Sequence, residues 1–345
     1  MSADRADTFA ELSDSGQLAV LGDLANLALD HYDITGSPRA RLLNLSENAT
    51  YVIEGGDRRY ALRVHRDGYH SPAAIASELS WLVALREAGV VTTPRPIWTR
   101  DGGYVAHVGH PLLPRPRRVV LFDWETGSEP GIGDDLAGPL ERLGAVTARM
   151  HAHSRRWQRP PGFTRPVWNF ETALGDTAPH WGRWRDGMGM TAATTGLFAR
   201  TVATIGQRLA GFGSAPDRFG LVHCDLRLAN LLIDGPVVKV IDFDDCGFSW
   251  FMYDAATPVS FYEDDPKVPD LTQAWLRGYR SETPLSVEAE AEIPTFMMLR
   301  RLLLVAWIGS HSETDLAQSM GVAYTVGTTG LCEAYLSRFG KSASA

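Results

Sequence analysis

An α+β fold follows from three observations in this 345-residue chain. β-Patterned runs cluster between residues 40 and 122, helical stripes dominate from Gly133 onward, and a tight hairpin is encoded at 231–241. A hydrophobic content of 44% over this length is enough to bury a substantial core in two lobes or domains.

Taken in order, residues 1–36 read as a helical lead-in. Leu18, Val20, Leu21, Leu24, Leu27 and Leu29 give a mixed apolar face that stops at Ile34-Thr-Gly-Ser-Pro38. Strands follow at 40–45, 50–54 and 59–65, with Gly55-Gly56-Asp57 as the turn between the last two. In the third strand Tyr60, Leu62 and Val64 face one way, and Ala61, Arg63 and His65 the other. Ser71 and Pro72 form an N-cap and first-turn pair for a helix striped by Ile75, Leu79, Leu82 and Val83 and ended by Gly89, with Glu78 beside the stripe. Strands around 96–99, 103–107 and 118–122 complete an antiparallel sheet.

Beyond Gly133, Leu143, Val146 and Met150 stripe one helix, and His151 near its end reads as a structural hydrogen-bonding residue. Trp168, Trp181 and Trp184, set among prolines and glycines, read as packing residues of an insertion. Late helices are expected over 288–311 and 323–336. Arg300 and Arg301 interrupt the first of these, and at least one must reach a carboxylate or solvent, because an unpaired buried charge is costly.

Several function classes are excluded by composition. A formal net charge of −8 argues against general nucleic-acid binding. The stretch from Phe296 to Ile308 is broken by two arginines, so no membrane span is expected. The N-terminal region lacks the layout of a signal peptide, which suggests a cytoplasmic protein. Cys224, Cys246 and Cys332 are too few and too scattered for a disulfide framework or a C-x-x-C zinc site.

The chemistry is carried by Leu221-Val-His-Cys-Asp-Leu-Arg-Leu-Ala-Asn230, followed by the hairpin that ends at Asp242. The pattern H-x-D-x-x-x-x-N with a later Asp has the spacing of a kinase-type catalytic loop. Folding back about Asp234-Gly235 sets Asn230 roughly opposite Ile241. The Asn230 amide oxygen and the Asp242 carboxylate then emerge at one open end, a pair of hard oxygen ligands suited to Mg²⁺ against ATP phosphates. Asp225, just upstream, is placed to accept the proton of an attacking hydroxyl.

With Ser46-Glu-Asn-Ala-Thr-Tyr51, Tyr60-Ala-Leu-Arg-Val64, Leu143-Gly-Ala-Val-Thr-Ala-Arg-Met-His151, Ile241-Asp-Phe-Asp-Asp245 and Tyr253-Asp-Ala-Ala256 in the same order, most of the chain resembles the aminoglycoside phosphotransferase and choline kinase family. Two departures are Cys224, where that family usually has Gly, and Arg227, where it often has His. The resemblance implies a bilobal protein-kinase-like fold. Its N-terminal lobe, 37–124, would hold an antiparallel sheet and one αC-type helix; its larger, mainly helical C-terminal lobe would span 125–345.

It also implies direct in-line transfer of the ATP γ-phosphoryl group to a hydroxyl of a small-molecule acceptor: an amino alcohol, hydroxy amino acid, sugar or aminoglycoside-like compound. Asp225 and Arg227 would act on the reacting groups, with Asn230 and Asp242 holding Mg²⁺ and His223 and Asp254 as structural support. Arg227 would stabilise transition-state charge or instead pair with Asp244 or Asp245. Ala61, Arg63 and Glu78 would face ATP, Arg63 standing where a Lys is usual. Ser46 and Asn48 would contact its phosphates or cap a turn. Phe122 and Trp124 lie at a hinge for adenine, with interlobe packing an alternative for Trp124. A Ser/Thr protein kinase of the bacterial stress-response type and a nucleotide-binding pseudokinase are the competing readings. Oligomeric state is not encoded legibly.

Overall fold

In a computed structural model the described residues run from Thr8 to Gly340. They form two compact units: the first takes in the described residues up to Arg86 with Thr93–Thr126 and Pro160–Thr164, the second the remainder.

The first unit begins with α1 (Asp14–Ala28), whose N-cap Ser13 accepts the Gly16 amide. Its sheet comprises β1 (Arg39–Leu45), β2 (Ala49–Gly55) and β3 (Arg58–Val64), then, after α2 (Pro72–Glu87), β4 (Val105–Val108) and β5 (Arg117–Asp123). The antiparallel order is β1-β2-β3-β5-β4. Strand alternation sends Tyr51, Ile53, Tyr60, Leu62, Val64 and Leu121 into one core with Val20, Leu24, Ala25 and Ala28 of α1. Leu27, expected on that apolar face, is exposed. The start of α2 is set as anticipated, with the Ser71 hydroxyl accepting the Ala74 amide at 3.1 Å.

The strand expected at 96–99 does not form. Pro94 and Pro96 have no amide hydrogen to offer a ladder, so toward β5 the segment makes an isolated bridge from Pro96 to Phe122 and a bond from Ile97 N to Leu121 O, while Thr99 N turns back to Gly103 O.

The second unit contains α3 (Ala137–Arg156), α4 (Phe170–Leu174), α5 (Ala192–Phe212), β6 (Phe219–Val222), β7 (Leu231–Asp234), β8 (Val237–Val240), β9 (Gly247–Trp250), α6 (Val268–Glu282), α7 (Val287–Ala291), α8 (Ile293–Ser310) and α9 (Asp315–Phe339). β6 pairs with β9, and β7 with β8. The helix expected over 288–311 is two helices, with Pro294 in the first turn of α8.

Helices α3 and α6 meet through glycine. A Cβ on Gly144 would fall 1.9 Å from the Trp275 carbonyl oxygen, and one on Gly278 would fall 1.7 Å from that of Glu141. Neither position has room for a side chain.

The segment Val287–Ser310 is long and apolar enough to cross a membrane, but 78% of its most apolar window is buried inside the protein. Even Arg300 and Arg301 are buried in α8. Trp168, Trp181 and Trp184 are also interior, with Trp168 and Trp181 packed edge to face.

Candidate active site

The loop between β6 and β7 is held by buried hydrogen bonds from behind. Cys224 adopts φ 69°, a left-handed conformation that side chains resist. Its backbone amide donates to Asp254 Oδ1 at 2.8 Å, and the His223 amide donates to Asp254 Oδ2 at 3.1 Å. Leu226 N donates to Thr257 Oγ1 at 3.0 Å. The short turn Phe251–Val259 is thus a backing plate that fixes a strained loop.

Asp254 is itself oriented from α3, since His151 Nε2 lies 3.1 Å from its Oδ2 while His151 Nδ1 meets the Tyr279 hydroxyl at 3.1 Å. Burial lowers the His151 pKa below the ordinary imidazole value, although the Asp254 carboxylate works against that shift.

The loop brings three expected site residues into contact. Asn230 Nδ2 donates to Asp225 Oδ2 at 2.7 Å and to the Asp225 carbonyl at 2.9 Å, and Arg227 Nε donates to Oδ2 at 3.2 Å. Arg227 therefore meets Asp225. Oδ1 of Asp225 accepts from Arg300, which reaches in from α8. Burial pushes the Asp225 carboxyl pKa up, but the Arg300 and Arg227 guanidiniums outweigh it and hold the group below the usual carboxylate range.

Asp242 follows the hairpin. Ile241 N donates to Asn230 O at 2.9 Å, closing the ladder so that Asn230 and Asp242 flank its open end. Asp242 is exposed and has φ 60°. Arg165, unassigned in the sequence, donates through Nε to Cys246 O at 2.6 Å and through a terminal nitrogen to Asp244 O, while Trp168 Nε1 donates to Asp245 O at 2.9 Å. These bonds fix the run just after Asp242. Gly127, at φ 125°, packs so near β7 that a Cβ would sit 3.0 Å from Ile233 O, and Ser128 bonds Ile233 in both directions.

In the first unit, Arg63 donates to Glu78 Oε1 at 2.7 Å, with Glu78 fully buried. A solvated surface Glu is thereby excluded. The Arg63 guanidinium lies 5.3 Å from the centroid of the Phe122 ring, which is buried, and Ala61 pairs in register with Phe122. Asn48 Oδ1 accepts the Arg66 amide at 3.0 Å and Asn48 O accepts the Ser46 amide at 3.1 Å, so the Asn48 carbonyl closes its own turn and its side chain ties that turn to the chain just after β3, while Ser46 stays exposed. Trp124 is half-buried, directly after β5.

The donor set suits a hard cation. Asn230 spends its amide nitrogen on Asp225, so its oxygen is the atom that could serve a cation, beside the carboxylate oxygens of Asp242. Among the described residues no group of three or more His, Cys, Asp and Glu side chains forms a closed metal cage. Mg²⁺ is usually held by one or two carboxylate-type side chains with phosphates and water, which a pair such as Asn230 and Asp242 could supply on the protein side.

Comparison with known proteins places the fold and the family. The structure of a microcompartment-associated aminopropanol kinase superposes with a TM-score of 0.85 at 46% identity, covering 92% of this chain and 98% of that one. An amicoumacin kinase in complex with AMP-PNP, Ca²⁺ and Ami shares the fold with a TM-score of 0.73 at 22% identity, covering 95% of each chain. The amicoumacin kinase of Bacillus subtilis (strain 168) is 24% identical over 292 residues, 81% of either chain. The fold is therefore the protein-kinase-like fold of these small-molecule kinases. A family model matches residues 40–289, a stretch that contains both the Arg63–Glu78 pair and the Asp225 loop, and the chain belongs to the phosphotransferase enzyme family.

Proposed function

We propose that this phosphotransferase moves the γ-phosphoryl group of ATP, with Mg²⁺, to the hydroxyl of a small amino alcohol. The observation that carries the reading is the contact of Asp225 with Asn230, which brings the proposed proton acceptor and a proposed metal ligand together in one rigid loop. The amino-alcohol class is supported by 46% identity over nearly the whole chain to an aminopropanol kinase.

Asp225 binds and orients the acceptor hydroxyl. Because its flanking arginines favour the carboxylate, it is a weak base toward an unreacted alcohol, and it takes the proton as the new P–O bond forms. Orientation is then its main contribution. Arg227 contacts the transferring phosphoryl oxygens, and Arg63, steered by Glu78, the donor phosphates. Asn230 and Asp242 hold Mg²⁺, which when bound neutralises phosphate charge. Ala61, Phe122, Trp124, Ser46 and Asn48 complete the nucleotide side, and Asp254 with His223 keeps the loop in shape. The reading includes a cytoplasmic location, supported by dependence on ATP.

ATP consumption with Mg²⁺ across hydroxylated amines, amino acids, sugars, aminoglycosides and a generic protein substrate tests this. Acceptor-dependent turnover is expected with an amino alcohol, and Asp225→Ala is expected to lower it by on the order of 10²–10⁴ while ATP still binds. Turnover with the protein substrate alone would favour a protein kinase. The buried contacts that assemble Asp225, Arg227 and Asn230 count against a pseudokinase.

A further inference from the structure

Arg300 lies in the middle of α8 and is 2% exposed. Its nitrogens serve three residues: Nε donates to Ser260 Oγ at 3.0 Å, one terminal nitrogen to the Tyr253 hydroxyl at 3.3 Å, and the other to Asp225 Oδ1. The guanidinium sits 5.2 Å from the centroid of the Trp181 ring. Its anchor is anchored in turn, because the Ser260 hydroxyl donates to Thr257 O at 2.7 Å and Thr257 Oγ1 receives the Leu226 amide of the catalytic loop.

Stability is a poor account of this arrangement. A buried guanidinium and carboxylate both give up their hydration, and apolar side chains of similar volume often hold a fold equally well. An apolar residue cannot set the rotation of a carboxylate. With Oδ1 clamped from α8, Oδ2 is the oxygen that meets Asn230 and Arg227 on the loop. We propose that Arg300 is a positioning residue for phosphoryl transfer, acting through Asp225 by fixing which carboxylate oxygen faces the acceptor hydroxyl. This rests on Asp225 as the group that receives the acceptor. Misplacing such a group by about 1 Å is enough to cost on the order of 10²-fold in rate.

The test is a kinetic cycle on the full chain with Mg-ATP and 1-amino-2-propanol, or the best alcohol of the panel above, using Arg300→Met, Arg300→Lys, Asp225→Ala and the Asp225→Ala/Arg300→Met double variant. Arg300→Met is expected to lower kcat by about 10- to 100-fold with the KM for ATP within about twofold, and Arg300→Lys to recover roughly tenfold of that loss. In the Asp225→Ala background the same change should cost less than about twofold, since a residue acting through Asp225 has nothing left to position. A folded Arg300→Met enzyme with kcat within about threefold of wild type, or a loss that persists in the Asp225→Ala background, overturns the proposal. Full turnover by Asp225→Ala instead removes the reading of Asp225 and the positioning role with it. Should Arg300→Met not fold, Ser260→Ala combined with Tyr253→Phe strips two anchors and keeps the ion pair. Several-fold lower kcat in that variant supports the proposal, and unchanged kcat overturns it.

Discussion

His151 Nε2 stands 3.1 Å from Asp254 Oδ2, and the same carboxylate receives the backbone amides of both residues that precede Asp225. A side chain on α3 thereby controls, at one remove, the conformation of a strained loop. Asp254→Ala would leave two buried amides without an acceptor, at about 1–3 kcal/mol each. A loss of roughly 3–5 kcal/mol in unfolding free energy is expected, with turnover at least about tenfold down in the folded fraction. Urea unfolding and single-turnover assays measure both.

Acid stability should report on His151. Its pKa is depressed in the folded state by burial, with partial compensation from Asp254, so the unfolded chain binds the proton more tightly. The stabilising contribution is complete above the unfolded value of about 6.5 and is lost as pH falls from there through the folded value. Thermal melts of wild type and His151→Gln at pH 7.5 and 5.5 should show a steeper acid loss for wild type. Parallel pH dependences would rule His151 out as the cause.

Cys224 tests two opposing terms. Its φ of 69° costs a residue with a side chain about 1–2 kcal/mol, which glycine would relieve, while glycine adds about 0.5–1 kcal/mol of backbone entropy cost and forfeits the burial of a small side chain. Cys224→Gly is accordingly expected to shift stability by no more than about 1 kcal/mol and to preserve turnover. Cys224→Val, branched at Cβ, should cost more than about 2 kcal/mol. Burial also raises the Cys224 thiol pKa, so native enzyme should resist iodoacetamide until it is unfolded.

The Arg63–Glu78 pair predicts a nucleotide effect. Glu78→Gln keeps the shape and removes the charge that steers Arg63, so the KM for ATP should rise roughly tenfold, the value of one charge-assisted hydrogen bond. The KM for the acceptor alcohol should hardly move. Comparable changes in both would mean that the pair supports the fold more than the nucleotide.

Legibility in the sequence followed sequence distance. The 231–241 hairpin was readable because its turn and both strands are local; Asn230 meets Ile241 as expected, but the turn itself is Gly235-Pro236, with Asp234 paired to Val237 inside the ladder. The alternation of β3 and the Ser71 cap were readable for the same reason. The Pro96–Thr99 strand does not form because Pro94 and Pro96 have no amide hydrogen to give a ladder, a local feature that outweighs the apolar pattern. Arg300 could be flagged as a buried charge in need of a partner, but that partner lies 75 residues away, and no local pattern marks Asp225 as the answer. Arg165 was silent: two of its bonds go to the backbone carbonyls of Asp244 and Cys246, which carry no side-chain signature.

The close crossing of α3 and α6 at Gly144 and Gly278 bears on directed evolution. Their two backbones touch with no side chain between them, and the helices so joined carry His151 and Tyr279, whose meeting depends on that register. Substitutions there would move the whole support of the catalytic loop at once. A library aimed at new alcohols should therefore leave 144 and 278 untouched.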